Sequence, residues 1–330
     1  MKNLHLTFAN VGYGEAMVLE VPDPSSAGGV FVLLLDGGGN EADEFAGSTT
    51  GRKPFLEHLA ALGVDHVDAI LCSHLHEDHI SGLLPVVRKY LPKTVYSTFS
   101  PTFWKDAMRQ LSDAAGETVS LQKFTRSLND YRTICELVTQ NGGSVKRLVL
   151  GDAPTFGADL RLSVLGPTAE RAAALEADLG ALYRTANGDV PDQKQLAKLD
   201  AGMNNFSLIL RFAYGETRLL LPGDTNQKGF GGIDPNELCA DLYKVGHHGQ
   251  RDGADLALIE AIRPQAVVCC ASSDRRYNSA EPQLLGMIAA HGASLYYSDC
   301  PPNPVGDPVP AHGLLRFAIG KDRTITAQYL

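Results

Sequence analysis

The run Ser73-His74-Leu75-His76-Glu77-Asp78-His79 constrains this chain more than any other feature. It places three of the ten histidines and an aspartate within six positions. It also follows an apolar segment, Val67-Asp68-Ala69-Ile70-Leu71-Cys72, short enough to be a buried strand that delivers His74 at its C-terminal end. A strand running into a tight loop can aim alternate side chains at one point, so His74 and His76 can share one ion while Asp78 and His79 turn toward a second. Neutral imidazole and carboxylate suit zinc, with bonds of about 2.0–2.2 Å, or manganese or iron. The alternative, a surface loop that happens to be rich in histidine, is disfavoured by the clustering behind a buried strand. Cys72 adjoins the ligands in sequence, but in such a strand it reads as packing.

With 330 residues, core size is no limit, and 44% hydrophobic with 20% charged residues is ordinary for a globular protein. No apolar run approaches a membrane span, and Val30-Phe31-Val32-Leu33-Leu34-Leu35 stops at Asp36. The N-terminus runs straight into the alternating segment Leu4-His5-Leu6-Thr7-Phe8 without a leader pattern. The six cysteines form no Cys-x-x-Cys pair and read as reduced, mostly buried thiols, so a cytoplasmic location with no membrane partner is expected. The net charge of −9 disfavours a tight, sequence-independent grip on a long polyanion. It does not exclude a nuclease, because bound cations reverse the local field.

Strands are expected near 3–9, 16–22, 29–35, 67–72 and 94–96, then 145–150 and 159–165, with helices at 54–62, 80–91 and 169–182. Leu121, Phe124, Leu128, Tyr131, Ile134 and Val138 recur at helical spacing and stop at Asn141-Gly142-Gly143, marking a helical insert at about 101–143 that packs on the sheet. Residues 184–202 are polar without clear periodicity and read as a long loop or flap. Further strands follow near 206–212, 217–222, 242–246, 266–270, 294–298, 314–319 and 324–329, with helices at 254–262 and 282–290. Many strands with helices at intervals suggest stacked sheets flanked by helices.

His-x-His-x-Asp-His after a strand resembles the signature of the metallo-β-lactamase superfamily. Leu220-Leu221-Pro222-Gly223-Asp224-Thr225 resembles the family's strand-to-Gly-Asp element, and Lys244-Val245-Gly246-His247-His248-Gly249 its late histidine motif. More narrowly, Val11-Gly12-Tyr13-Gly14-Glu15-Ala16, Leu35-Asp36-Gly37-Gly38 and Asn204-Asn205-Phe206-Ser207-Leu208 follow the order seen in the hydrolase domain of ComEC-type competence proteins and their free-standing relatives. The resemblance implies an α/β fold of four layers, αββα, forming a single domain over 1–330. It implies one or two divalent ions, zinc first, held by His74, His76, Asp78, His79, Asp224 and His248. Asp36 and Asn205 would support these ligands from behind, and Lys244 would bind substrate.

Several departures stand out. Asn10, Tyr13 and Glu15 replace the branch's usual Asp, Gln and Asp, Gln250 follows His-His-Gly in place of Ser, and Tyr277-Asn278-Ser279-Ala280-Glu281-Pro282 replaces a Tyr-Gly-His-Pro. No histidine lies between His79 and His247. One site therefore keeps Asp78, His79, Asp224 and a late histidine, with His248 favoured over His247. The other has His74, His76 and Asp224 and is one protein ligand short, to be completed by water, substrate or a carboxylate such as Asp152.

The chemistry implied is metal-assisted hydrolysis, in which the pKa of bound water falls from about 15.7 toward about 7. Asp78 would orient the nucleophile and His247, or water, protonate the leaving group. The leading expectation is a phosphodiesterase acting on nucleic acid or nucleotides. The alternatives are a hydrolase of another ester (phosphorylcholine ester, thioester or lactone) and a non-catalytic metal-binding or regulatory protein. Redox di-iron chemistry is disfavoured, since members of that type resemble His-x-Glu-x-Asp and this chain has His76 in the middle.

Overall fold

In a computed structural model that describes residues 3–113 and 116–330, alternating apolar residues build two sheets that face each other. The chain first lays down β1 (Leu4–Ala9), β2 (Ala16–Pro22), β3 (Val30–Gly37), β4 (Ala69–Leu71), β5 (Thr94–Ser97) and β6 (Ser144–Arg147). A second sheet takes β7 (Thr155–Phe156), β8 (Leu160–Gly166), β9 (Ile209–Tyr214), β10 (Thr217–Leu221), β11 (Leu242–Lys244), β12 (Ala266–Cys269) and β13 (Ser294–Tyr297). The chain then returns to the first sheet with β14 (Leu314–Ile319) and β15 (Ile325–Tyr329). The eight-stranded order is β15-β14-β1-β2-β3-β4-β5-β6 and the seven-stranded order is β13-β12-β11-β10-β9-β8-β7. Strands β3 to β6 run parallel, as do β10 to β13.

Side chains alternate across each strand, and this sorts the core into layers. Leu33, Leu35 and Leu71 of the first sheet meet Leu219, Leu221, Leu242 and Val268 of the second between the sheets. Their neighbours Val32, Leu34 and Ile70 face outward to the helices Phe55–Ala61, Leu83–Tyr90 and Val119–Gln140. On the far side Leu220, Tyr243 and Val267 face Leu256–Ile262 and Pro282–Ala290. Burial on both faces explains the nearly continuous apolar runs of these strands, and the result is the expected helix–sheet–sheet–helix sandwich.

Most expected elements form within a few residues of their predicted bounds, with two differences. The single helix expected over 80–91 is two, Glu77–Ile80 and Leu83–Tyr90. Gly82 separates them at a close approach to β3, where its N–H donates to the Gly38 carbonyl at 2.8 Å and a Cβ would collide with the Gly37 carbonyl oxygen. The expected loop at 184–202 is largely helical: one helix runs on to Thr185, and another spans Gln193–Gly202. The Asp192 side chain caps the second by accepting from the Gln195 N–H, and Leu196 and Leu199 bury its inner face. Two leucines in a polar segment were too few to register as a period, yet they suffice to dock a short helix.

The helix Val119–Gln140 of the insert buries Leu121, Phe124, Leu128, Tyr131, Ile134 and Val138. Residues 114 and 115 of that insert lie outside those described. All six cysteines are free thiols, four of them buried. Among the described residues no helix is long and apolar enough to cross a membrane.

Candidate metal centre

Parallel strands leave their C-terminal ends, and the loops that follow, at one end of a sheet, the usual place for a site in α/β architectures. Here both sheets contribute. Asp36 sits near the end of β3, Ser73 and His74 follow β4, Gly223 and Asp224 follow β10, and Gly246, His247 and His248 follow β11. Asp36, His247 and His248 all have positive φ, at 53°, 49° and 51°. For residues with a Cβ that costs about 1–3 kcal/mol each, and such strain gathers where surrounding structure fixes a functional geometry.

These loops, with the short helix Glu77–Ile80, bring Asp78, His79, Asp224 and His248 into one cage. His248 Nε2 lies 3.0 Å from Asp78 Oδ2 and 2.9 Å from Asp224 Oδ2. His79 Nε2 lies 3.4 Å from Asp224 Oδ2 and 3.7 Å from Asp78 Oδ2. Ligands about 2.0 Å from a tetrahedral ion are about 3.3 Å from one another, so the spacing is that of a coordination shell. Glu15, His79, Asp224 and His248 also have potential ligand atoms mutually within 4.8 Å. Glu15 meets His248 only on the Nδ1 side, at 4.0 Å, away from the cage.

Hydrogen bonding fixes which nitrogens are free. His248 Nδ1–H donates to the Cys270 carbonyl at 2.8 Å, and His79 Nδ1–H donates to Asp36 Oδ2 at 2.8 Å. A carbonyl and a carboxylate only accept, so the protons are on Nδ1 and both Nε2 atoms turn lone pairs into the cage. Neither Nε2 has a hydrogen-bond partner, and both residues are fully buried. Such orphaned polar atoms are costly unless a cation satisfies them. Burial works against charge on Asp224 and Asp78, but the protonated forms of His248 and His79 hold both carboxylates low, and the carboxylates in turn raise both imidazoles, so a proton and a divalent cation compete for the same Nε2 atoms. The donor set fits a divalent cation.

A second pair of nitrogens stands beside the cage. Asp36 Oδ2 accepts from the Ser73 hydroxyl at 2.6 Å, whose oxygen then faces His74 Nδ1 at 3.0 Å, which places the His74 lone pair on Nε2. His76 Nε2 lies 3.0 Å from the Asp200 carbonyl oxygen and 3.3 Å from its Oδ1, which places the lone pair on Nδ1. His74 Nε2 and His76 Nδ1 lie 3.1 Å apart, within hydrogen-bond reach, a contact that two neutral rings make only with a proton or a cation between them. Burial, with His79 and His76 close by, pulls His74 well below the ordinary imidazole value, so it is neutral. Among the described residues, no third metal-binding atom joins these two.

Asp152, one of the candidates to complete this half, instead accepts from the Val149 N–H at 2.9 Å and stabilises its own turn. The carboxylate that reaches the histidines is Asp200, on the helix that sequence patterning missed, and it touches the outer nitrogen of His76.

Two further expectations need correction. Lys244 cannot bind substrate from the cleft, because its side chain is fully buried. Its ammonium pairs with buried Glu15, donates to the Gly223 carbonyl at 2.9 Å and lies 3.3 Å from Asp224 Oδ1. Burial pulls it down to about 8, still a cation at neutral pH. It therefore holds Asp224 by one oxygen and leaves Oδ2 to the cage. Asn205 makes no hydrogen bond to the cage residues; its Oδ1 is buried without a partner and its carbonyl accepts from Arg171 at 2.7 Å. Asn204 lines the cleft in its place. Asp36 does back the histidines, as its bonds to Ser73 and His79 show.

Glu15 was noted in the sequence only as a departure; its partner, Lys244, lies more than two hundred residues away. Gly14 brings it there: φ is 128°, a Cβ would strike the Asp78 carbonyl oxygen, and the Glu15 N–H donates to that oxygen at 3.0 Å.

Above the cage opens a cleft of about 360 Å³, into which His76, Asp78, Asp224 and His247 project. Lys123 and Phe124 of the insert helix form one wall, and Tyr13, Arg276 and Tyr277 another. His247 Nδ1 is held by Asp252 Oδ1 at 2.8 Å, and the Tyr13 ring lies 4.4 Å from the His248 ring.

Residues 27–166 match the family model of the metallo-beta-lactamase superfamily. The chain is 21% identical over 300 residues to "ComE operon protein 3" of Bacillus subtilis (strain 168), a match covering 88% of this chain and 31% of that protein. The chain thus spans about a third of the length of that relative. Among solved structures, it is similar to CmlA, a diiron beta-hydroxylase from Streptomyces venezuelae, with 11% identity, a TM-score of 0.48 and coverage of 100% of this chain and 55% of the other. It is also similar to a diphosphatase from the PhnP family, with 12% identity, a TM-score of 0.41 and coverage of 99% of both.

Proposed function

We propose that this protein, which residues 27–166 place in the metallo-β-lactamase superfamily, is a metal-dependent phosphodiesterase acting on nucleic acid or nucleotides. The observation that carries the reading is the cage of Asp78, His79, Asp224 and His248, whose two buried Nε2 atoms lack hydrogen-bond partners. Lys123 and Arg276, on opposite walls of the cleft, are paired with Glu77 at 3.8 Å and Glu44 at 2.6 Å, so the positive charge that favours an anionic substrate over a neutral lactone or thioester would be supplied by the bound ions.

Asp78, His79, Asp224 and His248 would hold one divalent ion, and His74 with His76 would hold a second, more exchangeable one, zinc being the ion the donor set suits best. Such ions supply a water acidified toward neutral pH and positive charge opposite the phosphoryl oxygens. The protein's own groups do the rest. Asp36 and the Cys270 carbonyl fix the rings of His79 and His248, and Lys244 keeps one oxygen of Asp224 out of the cage. Asp78 orients the attacking water. The water oxygen bonds to phosphorus and gives up a proton to solvent as the P–O bond to the leaving group breaks, and His247, steadied by Asp252, protonates the departing oxygen.

The test is hydrolysis of bis(4-nitrophenyl) phosphate by protein loaded with Zn2+ or Mn2+. Asp78→Ala and Asp224→Ala should each abolish it. Metal-loaded wild type that cleaves carboxylic esters or thioesters but no phosphodiester would overturn the reading.

A further inference from the structure

The cleft above the cage continues beyond it. A second cavity, of about 720 Å³, abuts the first, and His247, Gln250 and Tyr277 line both. The two form one groove, with the carboxylate–imidazole cage in one lobe and Arg251 and Arg275 in the other.

That second lobe is lined by two arginines that form no ion pair among the described residues. Arg251 is exposed and has no carboxylate partner among the described residues. Arg275 donates Nε–H to the Ser279 carbonyl at 3.2 Å and is otherwise unpaired. The lobe's carboxylates are already engaged. Asp252 accepts from His247 and Asn226, and Glu281 accepts from the Leu284 N–H at the start of a helix. Two guanidiniums without a carboxylate partner thus line one hollow, beside Asp252 and Glu281, whose oxygens are turned to other donors.

Tyr277 stands on the ridge between the lobes. It is 64% exposed, and its ring lies 5.2 Å from Tyr13, edge to face. Its loop is strained: Arg275, Tyr277, Asn278 and Ala280 have positive φ of 51°, 55°, 58° and 48° without being glycine. Such conformations persist where packing over-determines them, and they collect at ligand clamps. A fixed, solvent-facing aromatic ring beside a cationic hollow is the combination that binds unpaired bases and their phosphates.

We propose that the second lobe is a subsite for the strand flanking the scissile diester. Arg251 and Arg275 take a neighbouring phosphate and Tyr277 stacks on a neighbouring base. The preferred substrate is then a single-stranded oligonucleotide, because a duplex hides its base faces. This rests on the phosphodiesterase reading and adds to it where the rest of the substrate lies.

The test compares hydrolysis of bis(4-nitrophenyl) phosphate with that of labelled oligothymidylates of increasing length, using Mn2+-loaded protein. For wild type, kcat/KM should rise with length. Arg251→Ala/Arg275→Ala should lower the ratio of oligonucleotide to small-diester kcat/KM about tenfold or more. It should also flatten the log–log salt dependence by about 1.4, the share of two phosphate contacts on a single strand. Tyr277→Ala should lower the ratio and Tyr277→Phe restore it. Because the readout is a ratio on one preparation, misfolding, which lowers both activities, does not mimic the effect. If wild type cleaves the small diester without any gain from length, or the variants lower both substrates equally, the subsite is wrong and the activity stands. If wild type cleaves neither, the activity is wrong, and fluorescence anisotropy of a labelled oligothymidylate judges the groove alone: weaker binding by the double variant supports it, and unchanged binding overturns it.

Discussion

His248 Nε2, just after a strand of the second sheet, lies 3.0 Å from Asp78 Oδ2, on the short helix Glu77–Ile80 that follows a strand of the first. The two sheets are therefore joined at one edge by the ligand cage as well as by the leucine-rich layer between them. A cation held by residues from both sheets would link metal binding to global stability.

Removing the metal should accordingly destabilise the protein. At free metal a hundredfold above its Kd, the bound ion contributes about 2.7 kcal/mol. A chelator should lower the melting temperature by several degrees, and His248→Ala should abolish the difference. Identical melting curves with and without chelator, on protein shown by elemental analysis to have been loaded, would remove the case for the cage.

Lys244 and Glu15 form a buried pair, and breaking it exposes the cost of a lone buried charge. Lys244→Met should destabilise the fold by about 3–5 kcal/mol, and adding Glu15→Gln should recover part of that loss. Urea midpoints of the two single variants and the double variant form the cycle. If their effects simply add, the pair is not coupled.

Asp200 touches the outer nitrogen of His76 through its carbonyl and its carboxylate. Supports of this kind are worth about 10–100-fold in metal affinity or activity. With the carbonyl left in place, Asp200→Ala should fall near the tenfold end, while its melting temperature without metal stays near that of wild type. Unchanged activity and unchanged retention of the second metal ion would show that Asp200 is a bystander.

The contact of Asp299 with Arg52 sets a pH dependence away from the cage. Burial opposes the Asp299 charge, but hydrogen bonding and the Arg52 guanidinium, 2.7 Å away, hold it below its ordinary value. A carboxyl with a depressed folded pKa stabilises above its unfolded pKa of about 3.9, and that gain is lost as pH falls through the lower, folded value. Asp299→Asn should therefore be less stable than wild type by about 2 kcal/mol at pH 6, with the gap narrowing below about pH 4. A gap that stays constant to acid pH would mean that the charge of Asp299 contributes nothing.

The sequence alone determined whatever is local or periodic. The two-residue alternation of Leu33, Leu35 and Leu71 against Val32, Leu34 and Ile70 encodes strands buried on both faces, and hence a layered sandwich. The early histidine motif is local too: six positions at a strand end announce their chemistry without any tertiary contact. Everything that depended on distant segments meeting was decided by the tertiary structure. Glu15 and Lys244 give no sign of each other in the chain, and Lys244, expected to bind substrate, is an ammonium the fold seals against Asp224. Asp200 went unnoticed because its helix is held by only two leucines and a cap, a signal too weak for periodicity to detect. The physical reason is the same in each case: amphipathic pattern records which face of an element is buried, while ion pairing and ligand convergence depend on which elements lie opposite, and packing alone settles that.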